Sequence, residues 1–258
     1  MHVLVTGASS GIGEAIAREY LGRGARVTMV ARRRELLESI AASAPDRTHI
    51  LTRDLASGFD LAAAQGLIAA AEAAQGPIDV LINNAGVQIV SSVGDVAYEA
   101  GERLLLLNVH TPLWLTHAAL PGMIARRRGT IVDIASMAAL APTPWMYFYN
   151  ASKGALAAAS EGLRAEVKRH GLHVVTVYPG PVESAMEAAG RAAYEPSTAV
   201  THVPTGTPGV LARRIARAVE RRRARVIYPR IYALSRHFPN LTRLLLDLVT
   251  PPARALKP

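Results

Sequence analysis

The stretch that most narrows what this chain can fold into is its start. An apolar run, His2-Val-Leu-Val-Thr6, leads into Gly7-Ala-Ser-Ser-Gly11-Ile-Gly13, and Glu14 to Leu21 follow with helical spacing of apolar residues. This pattern reads as strand, glycine loop, helix. Such a loop lets the backbone approach a pyrophosphate, and the helix behind it offers free N–H groups and a positive dipole end. Gly7, Ser9, Ser10, Gly11, Ile12 and Gly13 are therefore candidate phosphate-binding residues. The Gly-x-x-x-Gly-x-Gly spacing departs from the Gly-x-Gly-x-x-Gly dinucleotide fingerprint, and a glycine turn without a ligand is the alternative.

The rest of the chain repeats the alternation. Arg26–Ala31, Thr48–Thr52, Ile78–Ile82, Gly129–Ala135, His173–Tyr178 and Arg225–Tyr228 read as further strands. Helices are expected over Glu35–Ala42, Phe59–Ala74, Glu102–Arg127, Tyr149 to about Arg169, and Thr207–Arg223, with a mobile loop over Ser184–Pro208. Alternation of this kind implies an α/β fold: a doubly wound parallel sheet of about seven strands with helices on both faces. At 258 residues the whole chain, 1–258, fits a single domain.

The absence of cysteine excludes disulfides and thiolate chemistry and agrees with a reducing compartment. No apolar stretch reaches the ~18 residues of a membrane span, so a cytoplasmic protein is expected. The net charge of +9 comes from arginines spread over the chain without a stacking pattern of aromatics, which speaks against nucleic-acid binding. The eight histidines form no metal-spaced set, so no metal site is expected.

Candidate functional residues fall at the ends of the expected strands. Asn83-Asn84-Ala85-Gly86 follows the fourth, and ligands of open α/β sheets bind outside the strands' carboxyl ends. Asn108 is a polar side chain amid Leu104–Leu107 and Val109, and needs a partner or bends its helix. Ser136 ends the fifth strand. Thirteen residues on, Tyr149 and Lys153 stand i, i+4 on one helix face, where an ammonium can bias the ionisation of a phenol whose free pKa is ~10. Arg32-Arg33-Arg34 opens a helix where an NAD-binding unit would place an acid on the ribose 2′-hydroxyl. Cations at a helix N-terminus are unfavourable unless an anion joins them, and a 2′-phosphate is the obvious candidate. The bland reading of the triplet is a solvated face.

Together, Thr6–Gly13, Asn83–Gly86, Asn108, Ser136, Tyr149-x-x-x-Lys153 and Pro179-Gly180 resemble the short-chain dehydrogenase/reductase family, in its compact single-domain branch. The resemblance implies a Rossmann-like fold and an NAD(P)-dependent oxidoreductase that moves a hydride to or from a carbonyl or secondary alcohol. It implies Tyr149 as general acid/base, Ser136 polarising the substrate oxygen, Lys153 on the nicotinamide ribose lowering the tyrosine pKa, and Asn108 holding a relay water. Asp54 and Leu55 are then expected by the adenine, Asn83 by the adenosine ribose, and Ala85, Gly86, Pro179, Gly180, Val182 and Ser184 along the cofactor. Ser184 stands where many relatives carry threonine, and Asp133 where they often carry asparagine. With Arg32 and Arg33, NADP(H) is expected over NAD(H). A catalytically silent dinucleotide sensor or scaffold is the alternative.

Val87, Met137, Leu140, Trp145, Met146, Val182 and Met186 are expected to make an apolar substrate pocket, with core packing as the alternative. A homodimer or homotetramer is expected through the helices of Asn108 and Lys153, where Gly154, Ala155, Ala158, Ala159 and Gly162 form a small-residue face. The tail, 229–258, reads as two short amphipathic helices broken at Pro239. Their apolar faces are expected to pack within the protein or its oligomer, ahead of covering the pocket mouth or touching a membrane surface.

Overall fold

A computed structural model describes residues 1–197 and 203–254. Seven strands form one parallel sheet: β1 (His2–Thr6), β2 (Arg26–Ala31), β3 (Thr48–Thr52), β4 (Val80–Asn83), β5 (Thr130–Ile134), β6 (His173–Pro179) and β7 (Arg225–Tyr228). Their order is β3-β2-β1-β4-β5-β6-β7. Connections run one way from β1 to β3 and the other way from β4 to β7, so a crevice opens between β1 and β4 at their carboxyl ends.

Both faces of the sheet are covered, and for this reason the strands read as continuous apolar runs. Val3 and Val5 of β1 face one layer, with Ile16 and Tyr20 of α1 (Gly11–Gly22), Leu37 of α2 (Arg34–Ala41) and Leu211 and Ile215 of α8 (Pro208–Glu220). Leu4, between them, faces the other, with Leu67 of α3 (Leu61–Gln75), Leu115 of α5 (Thr111–Ala125) and Val167 of α6 (Tyr147–Lys168). Each such side chain contributes roughly 1.5–3 kcal/mol by leaving water.

Two expected elements differ. Where one long helix was read over Glu102–Arg127, α4 (Tyr98–Leu105) and α5 are joined by a π-helical turn, Leu106–His110. Pro112 is the cause: it has no N–H for the carbonyl of Asn108 four residues earlier, and its ring crowds that carbonyl, so the helix widens there. The expected loop Ser184–Pro208 instead begins with α7 (Ala185–Ala192), whose N-terminus is capped by Ser184 Oγ accepting from the Glu187 N–H at 3.1 Å. Residues 198–202 of that loop lie outside the described residues.

The tail forms the two expected helices, α9 (Leu234–His237) and α10 (Pro239–Val249), after a turn at Arg230–Ala233. Its last residues, 255–258, lie outside the described residues. Among the described residues no helix is long and apolar enough to cross a membrane. On α6, Ala155, Ala158 and Gly162 of the small-residue face are exposed in the single chain.

Two glycines make the packing testable. A Cβ on Gly13 would lie 2.2 Å from the Gly7 carbonyl oxygen, whereas one on Gly154 of α6 meets nothing within 4 Å. Gly13→Ala is expected to cost ~1–3 kcal/mol through overpacking, and Gly154→Ala to gain up to ~1 kcal/mol through helix propensity. Urea midpoints at unchanged m-value check both, and two equal midpoints would contradict the packing described.

Candidate active site

A cavity of about 830 Å³ lies over the crevice, at the carboxyl ends of the strands. Its floor is stitched across the switch point. Thr6 Oγ1 accepts from the N–H groups of Asn84 and Ala85, both at 3.0 Å, and donates to the Ile82 carbonyl at 3.3 Å. The Asn84 amide donates back to the carbonyls of Thr6 at 2.9 Å and Gly7 at 3.3 Å. Gly7 turns at φ +66, and a Cβ there would stand 2.8 Å from the Ala85 Cα. Only glycine fits this position.

Beyond Gly7 the loop residues Ser9, Ser10, Gly11, Ile12 and Gly13 line the cavity at the N-terminus of α1. Arg33, the residue before α2, reaches over them and donates to the hydroxyls of Ser9 and Ser10, each at 2.9 Å. Arg32 lines the same end of the cavity, while Arg34 turns to Glu38 along α2 at 2.7 Å. Asp54, Leu55, Ala85, Gly86, Pro179, Gly180, Val182 and Ser184 also line it.

Asn83 does not. As the last residue of β4 it points into the layer below, buried, with its amide donating to Thr116 Oγ1 at 3.1 Å and Asp133 Oδ1 at 2.8 Å. The expectation that Asn83 lies beside the adenosine ribose is corrected, because its side chain is spent on that buried contact and Asn84 lines the cavity in its place. Two residues of the expected apolar pocket fall outside as well. Leu140 packs with Ala135 and Tyr178, and Trp145 is part-exposed at φ +69. Val87, Met137, Met146, Val182 and Met186 remain as lining.

Ser136, Tyr149 and Lys153 meet at the cavity floor. Ser136 leaves β5 with extended backbone, its Oγ fixed by the Ala138 N–H at 3.1 Å and hydrogen-bonded to the Tyr149 phenol. One turn along α6, the Lys153 ammonium stands 5.8 Å from the Tyr149 ring centroid and donates to the Ile134 carbonyl at 2.9 Å. Burial pushes the phenol above its ordinary pKa, with the Ser136 hydrogen bond pulling the other way. The expected lowering by Lys153 is thus overridden by desolvation. Burial also pulls Lys153 down, to about 8, against the field of Asp133.

Asn108 sits beneath them, fully buried in the π turn. Its side chain accepts from the Val87 N–H and donates to the Val87 carbonyl, both at 2.9 Å, and donates to Ser152 Oγ at 3.1 Å. A side chain so engaged clamps the segment after Gly86 against α6. Any part in a water relay falls to other atoms of this residue.

Comparison with known proteins decides the family. A model described as short chain dehydrogenase matches residues 1–195. The chain belongs to the short-chain dehydrogenase/reductase family. It is 36% identical over 194 residues to a "Dehydrogenase/reductase SDR family protein 7-like" of Anopheles gambiae, a match covering 71% of this chain and 60% of that one. It thus spans less than two thirds of the length of the curated relatives of this type. A short-chain dehydrogenase from Sphingobium yanoikuyae in complex with NADPH superposes with TM-score 0.80 at 30% identity, covering 99% of this chain and 98% of that one. A single-residue variant of actinorhodin polyketide ketoreductase with NADPH gives TM-score 0.79 at 29% identity, covering 88% of this chain and 95% of that one.

The glycine loop of this family member fits a dinucleotide. Gly7 and Gly13 leave the space that a Cβ would fill, and the α1 N-terminus faces it with polar donors. Sequence reasoning missed several lining residues. Arg53 lies one residue before the expected Asp54, Arg103 comes from α4, and Gln88 follows Val87. Tyr232, Leu246 and Thr250 come from the tail, a segment no motif marks. Tyr232 lies against Gly180, where a Cβ would meet its ring at 2.8 Å, and its hydroxyl donates to the Pro204 carbonyl at 2.9 Å. At the far end the Glu195 N–H donates to the Pro252 carbonyl at 2.9 Å and the Arg254 N–H to the Ala193 carbonyl at 2.8 Å. The tail is therefore pinned on both sides of the cavity and forms part of its wall.

The buried ammonium has a measurable signature. The folded lysine titrates at about 8 and the unfolded one at its ordinary value near 10.5, so between them the unfolded chain holds more protons and stability rises with pH. Relative to Lys153→Met, the wild type is expected to gain up to ~1.4 kcal/mol per pH unit across that window. Urea unfolding of both proteins from pH 8 to 10 reads the difference, and a flat difference would contradict a desolvated Lys153.

Proposed function

We propose that the protein is an NADP(H)-preferring carbonyl reductase or secondary-alcohol dehydrogenase for a bulky, apolar substrate. The observation that carries this reading is the Ser136, Tyr149 and Lys153 constellation on the floor of a cavity whose far end is gripped by Arg33. A nicotinamide dinucleotide, when bound, supplies or takes up the hydride at the substrate carbon. Ser136 donates its hydroxyl hydrogen to the substrate oxygen and fixes that oxygen beside the phenol. Tyr149 gives its proton to this oxygen during reduction and takes it back during oxidation. Lys153, held by the Ile134 carbonyl, would hold the cofactor's ribose hydroxyls, and its ammonium would return a proton to the phenolate. Gly86 lies directly under the Lys153 amine, a Cβ there being 3.5 Å from Nζ, so the main chain can pass close to the reacting groups.

A silent sensor on the same fold needs none of this set, and no observation favours it. The apolar lining from Val87, Met137, Met146, Val182 and Met186 supports a hydrophobic substrate. So does the likeness to a polyketide ketoreductase. NADPH oxidation over a panel of ketones and aldehydes is expected to favour bulky apolar members, and Tyr149→Phe to lower turnover ~10²–10⁴-fold. Equal turnover by the variant, or a preference for small charged substrates, would overturn the corresponding part.

The cofactor preference rests on Arg33, whose guanidinium stands over Ser9 and Ser10 with Arg32 beside it. A hydrogen bond to a charged group is worth ~1.5–3 kcal/mol, so Arg33→Glu is expected to weaken NADPH binding ~10–100-fold or more and to leave NADH little changed. Equal wild-type Kd values for NADH and NADPH would remove the preference.

A further inference from the structure

The substrate side of the cavity is fastened at a residue outside the Ser136, Tyr149 and Lys153 set. Tyr194 follows α7, is 7% exposed and lines the cavity, and it joins three stretches that are distant in sequence. Its hydroxyl donates to the Pro144 carbonyl at 3.0 Å, in the segment between Ser136 and Tyr149. Its own carbonyl accepts from Arg254 Nε at 3.1 Å. On either side of it the Glu195 N–H donates to the Pro252 carbonyl and the Arg254 N–H to the Ala193 carbonyl, which makes an antiparallel bridge with Tyr194 opposite Ala253. The sequence prepares this pairing. Pro251 and Pro252 cannot continue α10, and a residue before proline is pushed to extended backbone, as Thr250 is at φ −75 and ψ 117. The bonds bracket Tyr194 and Ala253 without joining them, the arrangement in which facing side chains come closest, and an alanine there leaves the ring its room.

We propose that Tyr194 is a specificity-determining residue: it fastens segment 143–146 and the tail to α7, so that the wall a bulky substrate leans on is one piece. The segment shows why a hydroxyl is needed there. Asn150 brackets Thr143, accepting from its N–H at 3.2 Å and donating to its carbonyl at 2.8 Å, and the Ser91 N–H donates to the Trp145 carbonyl at 2.8 Å. Pro144, between them, has only a carbonyl to offer, and Tyr194 takes it. Burial pushes the Tyr194 phenol up to about 12, so it keeps its hydrogen for that carbonyl at neutral pH. The stretches so joined carry apolar lining: Met146 from the segment, Met186 from α7, and Leu246 and Val249 from the tail. Tyr194 acts on the substrate by position and takes no part in the proton transfer.

The substrate side of this inference rests on the oxidoreductase reading above, but the fastening can be measured without turnover. In hydrogen exchange of the full chain without cofactor, Tyr194→Phe is expected to speed exchange of the Ser91 and Thr143 amides ~2–10-fold, the range that one neutral hydrogen bond supplies. Arg254→Ala is expected to do the same for the amides of residues 195 and 254. The Asn84 and Ala85 amides, held by Thr6 at the crevice, are expected to keep their rates in both variants. In turnover with NADPH, cyclohexanone serves as the small ketone and α-tetralone, which adds a fused ring, as the bulky one. Tyr194→Phe is expected to raise KM for α-tetralone ~2–10-fold relative to that for cyclohexanone and to leave the ratio of the two kcat values where it was. A residue with only a packing role would lower the unfolding midpoint in urea and slow both ketones alike. Unchanged exchange at Ser91 and Thr143 in Tyr194→Phe overturns the proposal, and so does faster exchange with an unchanged or lower KM ratio. If the wild type turns over neither ketone, the oxidoreductase reading falls, and the exchange rates alone decide whether Tyr194 fastens the wall.

Discussion

The architecture of the site depends on how two strand ends are joined across the point where the sheet reverses its winding. At the carboxyl ends of β1 and β4 the backbone leaves the ladder, and its polar groups need partners inside a dry layer. Thr6 supplies them with a single hydroxyl used to capacity, accepting from Asn84 and Ala85 and donating to Ile82. The Asn84 amide closes the other side on Thr6 and Gly7. Each group left unpaired there would cost ~1–3 kcal/mol. Joined this tightly, the two strand ends leave no space for a side chain on Gly7 or Gly13. The glycines, the aim of α1 and the position of the cavity all follow from this one contact.

The working groups are placed against their electrostatic preference. Tyr149 and Lys153 are both buried, and burial pushes each toward its neutral form. A fold selected only for stability would put an apolar pair at these positions. What offsets the cost is local and specific: the Ser136 hydroxyl at the phenol and the Ile134 carbonyl at the ammonium. Because β5 carries Ile134 and, just beyond, Ser136, the register of one central strand sets the surroundings of both groups.

Much of this was legible in the sequence because it was carried by residues with few alternative uses. Glycine spacing, an i, i+4 tyrosine and lysine, and apolar runs of strand length specify backbone shape, and β2, β3 and β7 fall at the expected residues. What was not legible depends on direction. Asn83 and Asn84 are adjacent and chemically identical, and only the pleat decides that the first points into the layer and the second toward the cavity. Asn108 was picked out as a polar residue in need of a partner, but the π turn that seats it comes from Pro112, a residue whose missing N–H could have been read four positions ahead. Arg53 and Arg103 belong to no pattern, since reaching a cavity from β3 or α4 is a matter of tertiary packing.

The tail carries the same lesson into specificity. Its periodicity marks two amphipathic helices, and the ordinary inference turns the apolar stripe inward. In the single chain the reverse holds. Leu241, Leu244, Leu245 and Leu248 of α10 are at least half exposed, while Ser235, Thr242 and Thr250 line the cavity beside Leu246. The helix is held by Tyr232 against Gly180 and by main-chain bonds from Glu195 and Arg254, not by burial of its leucines. A wall built this way brings hydroxyls to the cavity together with the apolar Leu246, Val249 and Pro251. The rest of the apolar lining comes from Met137 and Met146 after β5, from Val182 before α7 and from Met186 in its first turn. The methionines are the adaptable part of this lining, since an unbranched thioether chain accommodates a range of shapes more readily than a rigid leucine wall would.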